Sequence, residues 1–365
     1  MPNKKLILAA AACAALVVCQ ASASNVFLLP GANGSATTVA VYSGDPIVAG
    51  KTFEAASTSY KVIANSAGTR YFLIGNAATD TLLVADASFN ITQRFDLGQA
   101  AKAAVLTPDG SRLLVAADSL RVFDASAGDL TEVTFRTRPD VGTSPIDVVV
   151  SHDSKTAWVL SALSRRLTAV SLTSYTVLGT REIKGSSTGI AIAPNGALWI
   201  GSDYRLYKVD GDAMAFAGDA IQLNSRPGRL AITPNGKYGV AINEIPVTGY
   251  NVELFNLETK LREDYWPKST TFSDILENVT VVSNTKAYAM SSSTGRLFQI
   301  SLDTLNVDEA SYMYSSTTSA TRTFTGVTAI SASDELTDAK YLYVATGSEI
   351  RQINLSTNKS VTAFT

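Results

Sequence analysis

Cysteine is nearly absent: the 365 residues contain two, Cys13 and Cys19, both within the first twenty positions. Beyond them there is no thiol, which excludes disulfide staples, cysteine-based zinc sites, iron–sulfur clusters and covalent haem attachment. Histidine is scarcer still. His152 stands alone, so a multi-histidine zinc or copper centre is excluded too. Charged residues make up only 17%, with 30 basic against 32 acidic and no basic tract. The electrostatic footprint of nucleic-acid binding is therefore missing. Helical periodicity over ten residues is absent after the N-terminal segment, and no later run approaches the roughly 20 apolar residues that a spanning helix needs.

The N-terminal segment reads as a secretory leader, residues 1–23. Lys4 and Lys5 precede the apolar run from Leu6 to Cys19, and Ala21-Ser22-Ala23 supplies a small-x-small cleavage pattern. Val18 stands where a lipoprotein signal wants a small residue, so a lipid anchor is the weaker reading. The expected mature chain, 24–365, is an exported monomer, periplasmic, at the cell surface or extracellular. Without disulfides it holds together by burial alone, and its length exceeds an ordinary single core.

A repeat supplies the architecture. "AAVLTPDGSRLLVAA" (103–117), "GIAIAPNGALWIGS" (189–202) and "RLAITPNGKYGVAIN" (229–243) share an apolar run, a Pro-Asp/Asn-Gly turn and a second apolar run. Aligned on the turn glycine, the phrase returns at Gly68, Gly110, Ser154, Gly196, Gly236, Thr285 and Ala339, every 40 to 54 residues. A second phrase, an alternating strand closed by Asp, Asn or Ser, keeps step with it at Ser43, Asp86, Asp124, Ser171, Asp210, Asn256, Ser301 and Asn354. Pro presets φ, Asp or Asn bonds its own backbone, and Gly takes the positive φ. Four short strands per unit at this period predict an all-β chain folded as one β-propeller. Seven first strands against eight third strands favour seven blades, with Val26–Thr52 supplying outer strands that fasten the ring to the last unit; eight blades is the alternative.

"TPDGSRLLVAA", "TPNGKYGVAIN" and "KYLYVAT" resemble the YVTN-type repeat propellers, a family of bacterial exported and cell-surface proteins. The resemblance spans nearly the whole chain after the leader, and Tyr343-Val344-Ala345-Thr346 is the phrase nearest the family's motif. It implies the architecture and, through distant lactonase-like seven-bladed propellers, one enzymatic alternative.

The chemical candidates are few. His152 falls in the slot of Pro108, Pro194 and Pro234, a turn position. Gly185-Ser186-Ser187-Thr188-Gly189 matches the nucleophile-elbow pattern but lacks the following helix and histidine that the motif requires. Asp334, Glu335 and Asp338 crowd the last unit without the spacing of a calcium loop. Connections lengthen at Glu244–Tyr250, Trp266–Glu277 and Tyr312–Gly326, and insertions on one face of a repeat protein often mark a binding surface. The candidate site residues are Glu244, Tyr250, Trp266, Tyr312 and Tyr314 on those loops, with Arg226, Arg229, Glu244 and Glu277 at the channel mouth. The favoured expectation is a non-enzymatic propeller that binds a partner protein, a glycan or a small molecule, with no cofactor, no nucleic acid and no membrane span. The alternative is a lactonase-like hydrolase or lyase with Ca²⁺ or Mg²⁺ held by Glu244 or Glu277.

Overall fold

The computed structural model describes residues 82–243 without a break, with 16–19, 25–28, 38–43, 48–54 and 59–75 before them and most of 252–364 after them. Every regular element among these is a β-strand. The seven repeat units become seven antiparallel sheets whose strands pair in chain order, four to a blade except where the outer strand of blade 4 is split into Ala215–Phe216 and Ile221–Gln222, here blades 1 to 7: 59–95, 103–132, 145–182, 187–222, 227–266, 278–309 and 327–364. Second strands such as Arg112–Ala116, Thr156–Ser161 and Leu198–Ser202 are buried almost end to end. Each lies between two neighbouring sheets and needs apolar side chains on both faces, so these strands read as unbroken apolar runs. The outermost strand Ile91–Phe95 shows the alternation of a strand with one wet face.

Leu16–Cys19, Asn25–Leu28, Thr38–Ser43 and Val48–Glu54 form an eighth four-stranded sheet. This corrects one expectation. The unit at Val26–Thr52 does not lack an opening strand, and among the described residues its strands pair only with one another. Its opening strand, Leu16–Cys19, comes from the segment read as a leader and sits between the first strands of blades 7 and 1, Val327–Ala332 and Ser59–Ala64. First strands thus follow one another around a closed ring. The apolar residues suited to a leader are equally suited to an innermost strand, which is why one reading hid the other.

The last blade carries an addition. Ser311–Tyr314 and Thr321–Thr323 form a hairpin, and the first of these runs parallel to the outermost strand, Lys359–Phe364. Part of the long connection before blade 7 is therefore strand on the outer edge.

Burial is organised between sheets. Phe72, Ile74, Leu113 and Phe123 join blades 1 and 2; Leu114, Val122, Val148 and Val159 join blades 2 and 3. Equivalent clusters continue around the ring to Met290, Leu297, Leu342 and Val344 between blades 6 and 7. Val41 ties the N-terminal sheet to Tyr71 and Leu73.

The turns explain the repeat phrase. In blade 2 the Thr107 hydroxyl donates to Asp109 Oδ1 at 2.6 Å and accepts the Arg112 N–H at 3.0 Å, and Asp109 Oδ1 accepts the Ser111 N–H at 3.0 Å. Thr233 and Asn235 repeat the pattern in blade 5, and Ser151 with Asp153 repeats it in blade 3. Gly110 has φ +71°, and Ser154, which stands in the glycine slot, has φ +62°. Gly110→Ala is expected to cost about 1 kcal/mol in a denaturant titration. Open space lies around a Cβ at that position, so backbone strain would be the whole effect.

Candidate functional site

The blades present two unlike faces. First-to-second and third-to-fourth turns lie on one, here the turn face. Second-to-third tips and the connections between blades lie on the other, the connection face.

The turn face holds the conspicuous acids, each tied into its own loop. Asp86 is held below the usual carboxylate range, first by the Asn90 N–H. Asp124 is lowered by Ser126 and Asp153 by the Ser151 hydroxyl. For Asp109, burial pushes upward, but hydrogen bonds from Thr107 and Ser111 outweigh it and the net shift is downward. These shifts are turn chemistry, the carboxylate accepting nearby N–H and O–H donors. His152 lies exposed in the turn at 151–156, the position its slot in the repeat predicts.

On the connection face, buried polar residues hold the incoming connections. The Ser161 hydroxyl donates to the Val141 carbonyl and the Ser202 hydroxyl to the Lys184 carbonyl, each at 2.7 Å. A slot three residues before the end of the third strand has the same task. Arg121 Nη1 donates to Leu97 O at 3.3 Å, Thr168 Oγ1 to Val141 O at 3.4 Å, and Glu253 accepts the N–H groups of Asn224 and Ser225 at 3.0 and 3.2 Å. Arg121 also pairs with Glu132.

Glu253 is the most unusual of these. It is fully buried and also meets Asn243 Nδ2 at 3.2 Å and Arg262 Nη1 at 3.4 Å. Burial pushes its pKa up, against the lowering effect of Asn243, the two backbone N–H groups and Arg262. Its donors are all the chain's own, so its task is to hold a connection. The sequence signal was a charge inside an apolar third strand, as in "VELFN" and "LRVFD".

First strands enter the channel mouth irregularly. Register slips at Ser59/Lys61, Pro145/Asp147, Ser187/Gly189, Pro227/Arg229 and Val327/Ala329, always at the strand's start. A bulge there turns the strand and re-aims its side chains. Asp147, just past one bulge, accepts the Ile190 N–H of the next blade's first strand at 3.0 Å. The Gly185–Gly189 motif runs into the strand Ser187–Ile192 rather than a helix.

Of the sequence-predicted site residues, Arg226 is placed in full. It is half-buried in the connection before blade 5, and its Nη2 reaches the Ser186 hydroxyl of the preceding connection at 3.1 Å. Arg229 lies in the first strand of blade 5 opposite Ile242, and Trp266 ends the blade's last strand opposite Val252. Tyr312 and Tyr314 lie on the added strand between Lys359–Phe364 and Thr321–Thr323, Tyr312 opposite Arg322. Glu244, Tyr250 and Glu277 lie outside the described residues, as do Asp334, Glu335 and Asp338. Among the described residues, no three of His, Cys, Asp and Glu converge as a metal-binding group, and no helix is long and apolar enough to cross a membrane.

Asp140 and Arg166 form the clearest ion pair of this face. Arg166 Nη2 lies 2.6 Å from Asp140 Oδ1, and the Gly142 N–H donates to the same oxygen at 3.0 Å. Arg166 first, and then Gly142, hold the Asp140 pKa below the ordinary range. Any stabilisation from a lowered carboxylate is present above its unfolded pKa and fades as pH falls through the folded one. The pair is largely exposed and adds little to stability, but the shift itself can be read. In Arg166→Ala the Asp140 pKa, followed by carboxyl NMR, is expected to rise toward the ordinary aspartate value.

No protein-family model matches the sequence, and no curated protein matches it. Solved structures do. Hydrazine synthase of Kuenenia stuttgartiensis aligns with TM-score 0.58 at 16% identity, over 84% of this chain and 95% of that one. A structure of the dihydro-heme d1 dehydrogenase NirN in complex with DHE aligns with TM-score 0.61 at 14% identity, over 80% of this chain and 62% of that one. The β-propeller domain of Myceliophteria thermophila Cps50 (Swd1) aligns with TM-score 0.56 at 10% identity, over 78% and 93%. At these identities the likeness is one of fold: the chain is a β-propeller. Proteins of such different description on one ring show that the ring does not specify an activity.

Proposed function

We propose that this chain is an exported, non-enzymatic β-propeller of the YVTN-repeat kind, which binds a partner protein, a glycan or a small ligand through its connection face. The observation that carries the reading is the division of labour between the faces. On the turn face the low-pKa aspartates Asp86, Asp109, Asp124 and Asp153 are consumed by the turns that build the blades. On the connection face, the backbone of the connections is fixed from beneath by Ser161, Ser202, Arg121 and Glu253. Exposed side chains there are thus mounted on a rigid frame, the condition for preorganised recognition. Export follows from reading residues 1–23 as a leader.

The test is a binding screen of the full chain against arrays of glycans and peptides, with hydrogen exchange locating any ligand. Protection at the connections and second-to-third tips is expected. A ligand that protects only the turn face, or turnover of a lactone with a divalent metal bound in calorimetry, would overturn the reading.

A further inference from the structure

Each of the seven blades opens with a first strand on the ring's inner circle, and successive first strands touch one another from Ser59–Ala64 round to Val327–Ala332. Between the last and the first of these, Leu16–Cys19 touches both. It pairs antiparallel with Asn25–Leu28, Leu16 opposite Leu28 and Cys19 opposite Asn25. Yet Leu16–Cys19 lies upstream of Ala21-Ser22-Ala23, the small-x-small pattern at which a leader is cut. A cut after Ala23 therefore takes away the innermost strand at one place in the ring and leaves the rest of its sheet in the chain.

That remaining sheet is anchored on both sides. Asn25–Leu28, Thr38–Ser43 and Val48–Glu54 still pair in order. Val41 packs with Tyr71 and Leu73 of blade 1. Lys51 Nζ donates to Ser88 O at 2.9 Å and to Asn90 Oδ1 at 2.7 Å. On the other side, Val48–Glu54 touches Lys359–Phe364 of blade 7. None of these contacts uses a residue before Asn25. The cut thus bares a fixed strand edge, the backbone of Asn25–Leu28, whose outward N–H and C=O groups lose their partners over about 13 Å.

We propose that this edge is a strand-acceptor site, which takes an extended apolar segment of an exported partner protein, laid antiparallel along Asn25–Leu28. The inference rests on the leader reading and is independent of the connection face. The chain's own segment defines the chemistry of the occupant: Leu-Val-Val-Cys is uncharged, apolar and half β-branched, a composition that favours strands. Strand addition satisfies an open edge with main-chain hydrogen bonds. A glycan or a small ligand has no row of donors and acceptors at strand spacing. An apolar strand seated between the first strands of blades 7 and 1, where Leu16–Cys19 sits, gains burial as well as pairing. Because the edge opens only after processing, its partner is one met outside the cytoplasm.

The full chain is produced in a bacterial host that exports it, and the N-terminus of the recovered protein is read by mass spectrometry; Ser24 is expected. The probe is a synthetic peptide of residues 14–21 with Cys19→Ser, which prevents oxidation. At saturating peptide, hydrogen exchange within Asn25–Leu28 of the processed protein should slow at least about tenfold. The same peptide with Val17→Pro and Val18→Pro, which cannot donate to a ladder, should have no effect. The unprocessed chain, which keeps its own strand, should not respond to either peptide. The proposal is overturned if the exported protein still begins before Leu16, or if it lacks the β-type circular dichroism of the unprocessed chain. It is equally overturned if the peptide gives no protection, the ring having closed without the strand, or if the unprocessed chain is protected as well. A processed protein that self-associates through this edge in ultracentrifugation would name a second copy as the occupant and overturn the partner assignment. None of these results bears on the connection-face reading, which the array screen tests separately.

Discussion

Glu253→Ala is expected to destabilise the protein by about 3–5 kcal/mol, the range for removing one partner from a buried charged network. The carboxylate is fully buried and accepts from Asn224 N, Ser225 N and Asn243 Nδ2, with Arg262 beside it. Alanine would leave two backbone donors, an amide and part of a guanidinium without their acceptor, and each orphaned buried donor carries a desolvation cost. Glu253→Gln keeps one acceptor oxygen and the shape, so a smaller loss is expected. Chemical denaturation of the three proteins measures both. Equal stability of wild type and the alanine variant would mean that water replaces the carboxylate.

The same residue gives a pH signature. Its pKa is raised in the fold, so the folded state holds a proton more readily than the unfolded one. Its contribution is then fully present below the ordinary glutamate pKa and is lost as pH rises through the raised value. Glu253→Gln has no such group. The stability difference between wild type and Glu253→Gln should shift in favour of wild type on going from neutral pH toward the ordinary glutamate range. The lowered aspartates of the turn face act oppositely and at lower pH, and they cancel in this difference because both proteins carry them.

Trp199→Ala should cost a comparable amount, about 3–5 kcal/mol as for other buried large aromatics. Trp199 is 2% exposed and packs with Leu206, Leu223, Phe255 and Leu257, joining blade 4 to blade 5. The pocket has little freedom to collapse, because Gly239, beneath the Phe255 ring, leaves a Cβ only 2.7 Å from that ring. In a repeat architecture each unit packs on its neighbours alone. Hydrogen exchange should therefore quicken first in blades 4 and 5, while Leu114 and Val159 between blades 2 and 3 keep their protection. Uniform loosening around the ring would instead indicate a single cooperative unit.

Strand identity and turn chemistry were legible because both are local. Thr-Pro-Asp-Gly and Thr-Pro-Asn-Gly carry their own hydrogen-bonding groups, and Ser154 took the glycine's positive φ as its place in the alignment required. Ring closure was not legible, because Leu16–Cys19 satisfies a leader and an inner strand with the same apolar residues. The hairpin beginning at Ser311–Tyr314 was missed for a different reason: its parallel partner, Lys359–Phe364, lies far along the chain. The site was the least legible part. Loop length directed attention to blades 5 to 7, whereas the ion pair of Asp140 with Arg166 lies on a short connection that looks unremarkable in a linear reading. The bulges at the first-strand starts have no marker in residue type, since Tyr60, Ile146, Thr188, Gly228 and Thr328 share no side-chain class.

The central claim is that recognition takes place on the connection face and that the turn face is scaffold. The most direct measurement is hydrogen exchange of the full chain with and without a ligand recovered from the glycan and peptide arrays, at saturating concentration. Slowed exchange at Thr143–Ser144, Leu163–Arg165, Lys184–Ser186 and Asp203–Tyr204, with none at the turns 107–112 and 151–156, is the predicted result. Slowed exchange confined to those turns, or to neither face, would contradict it.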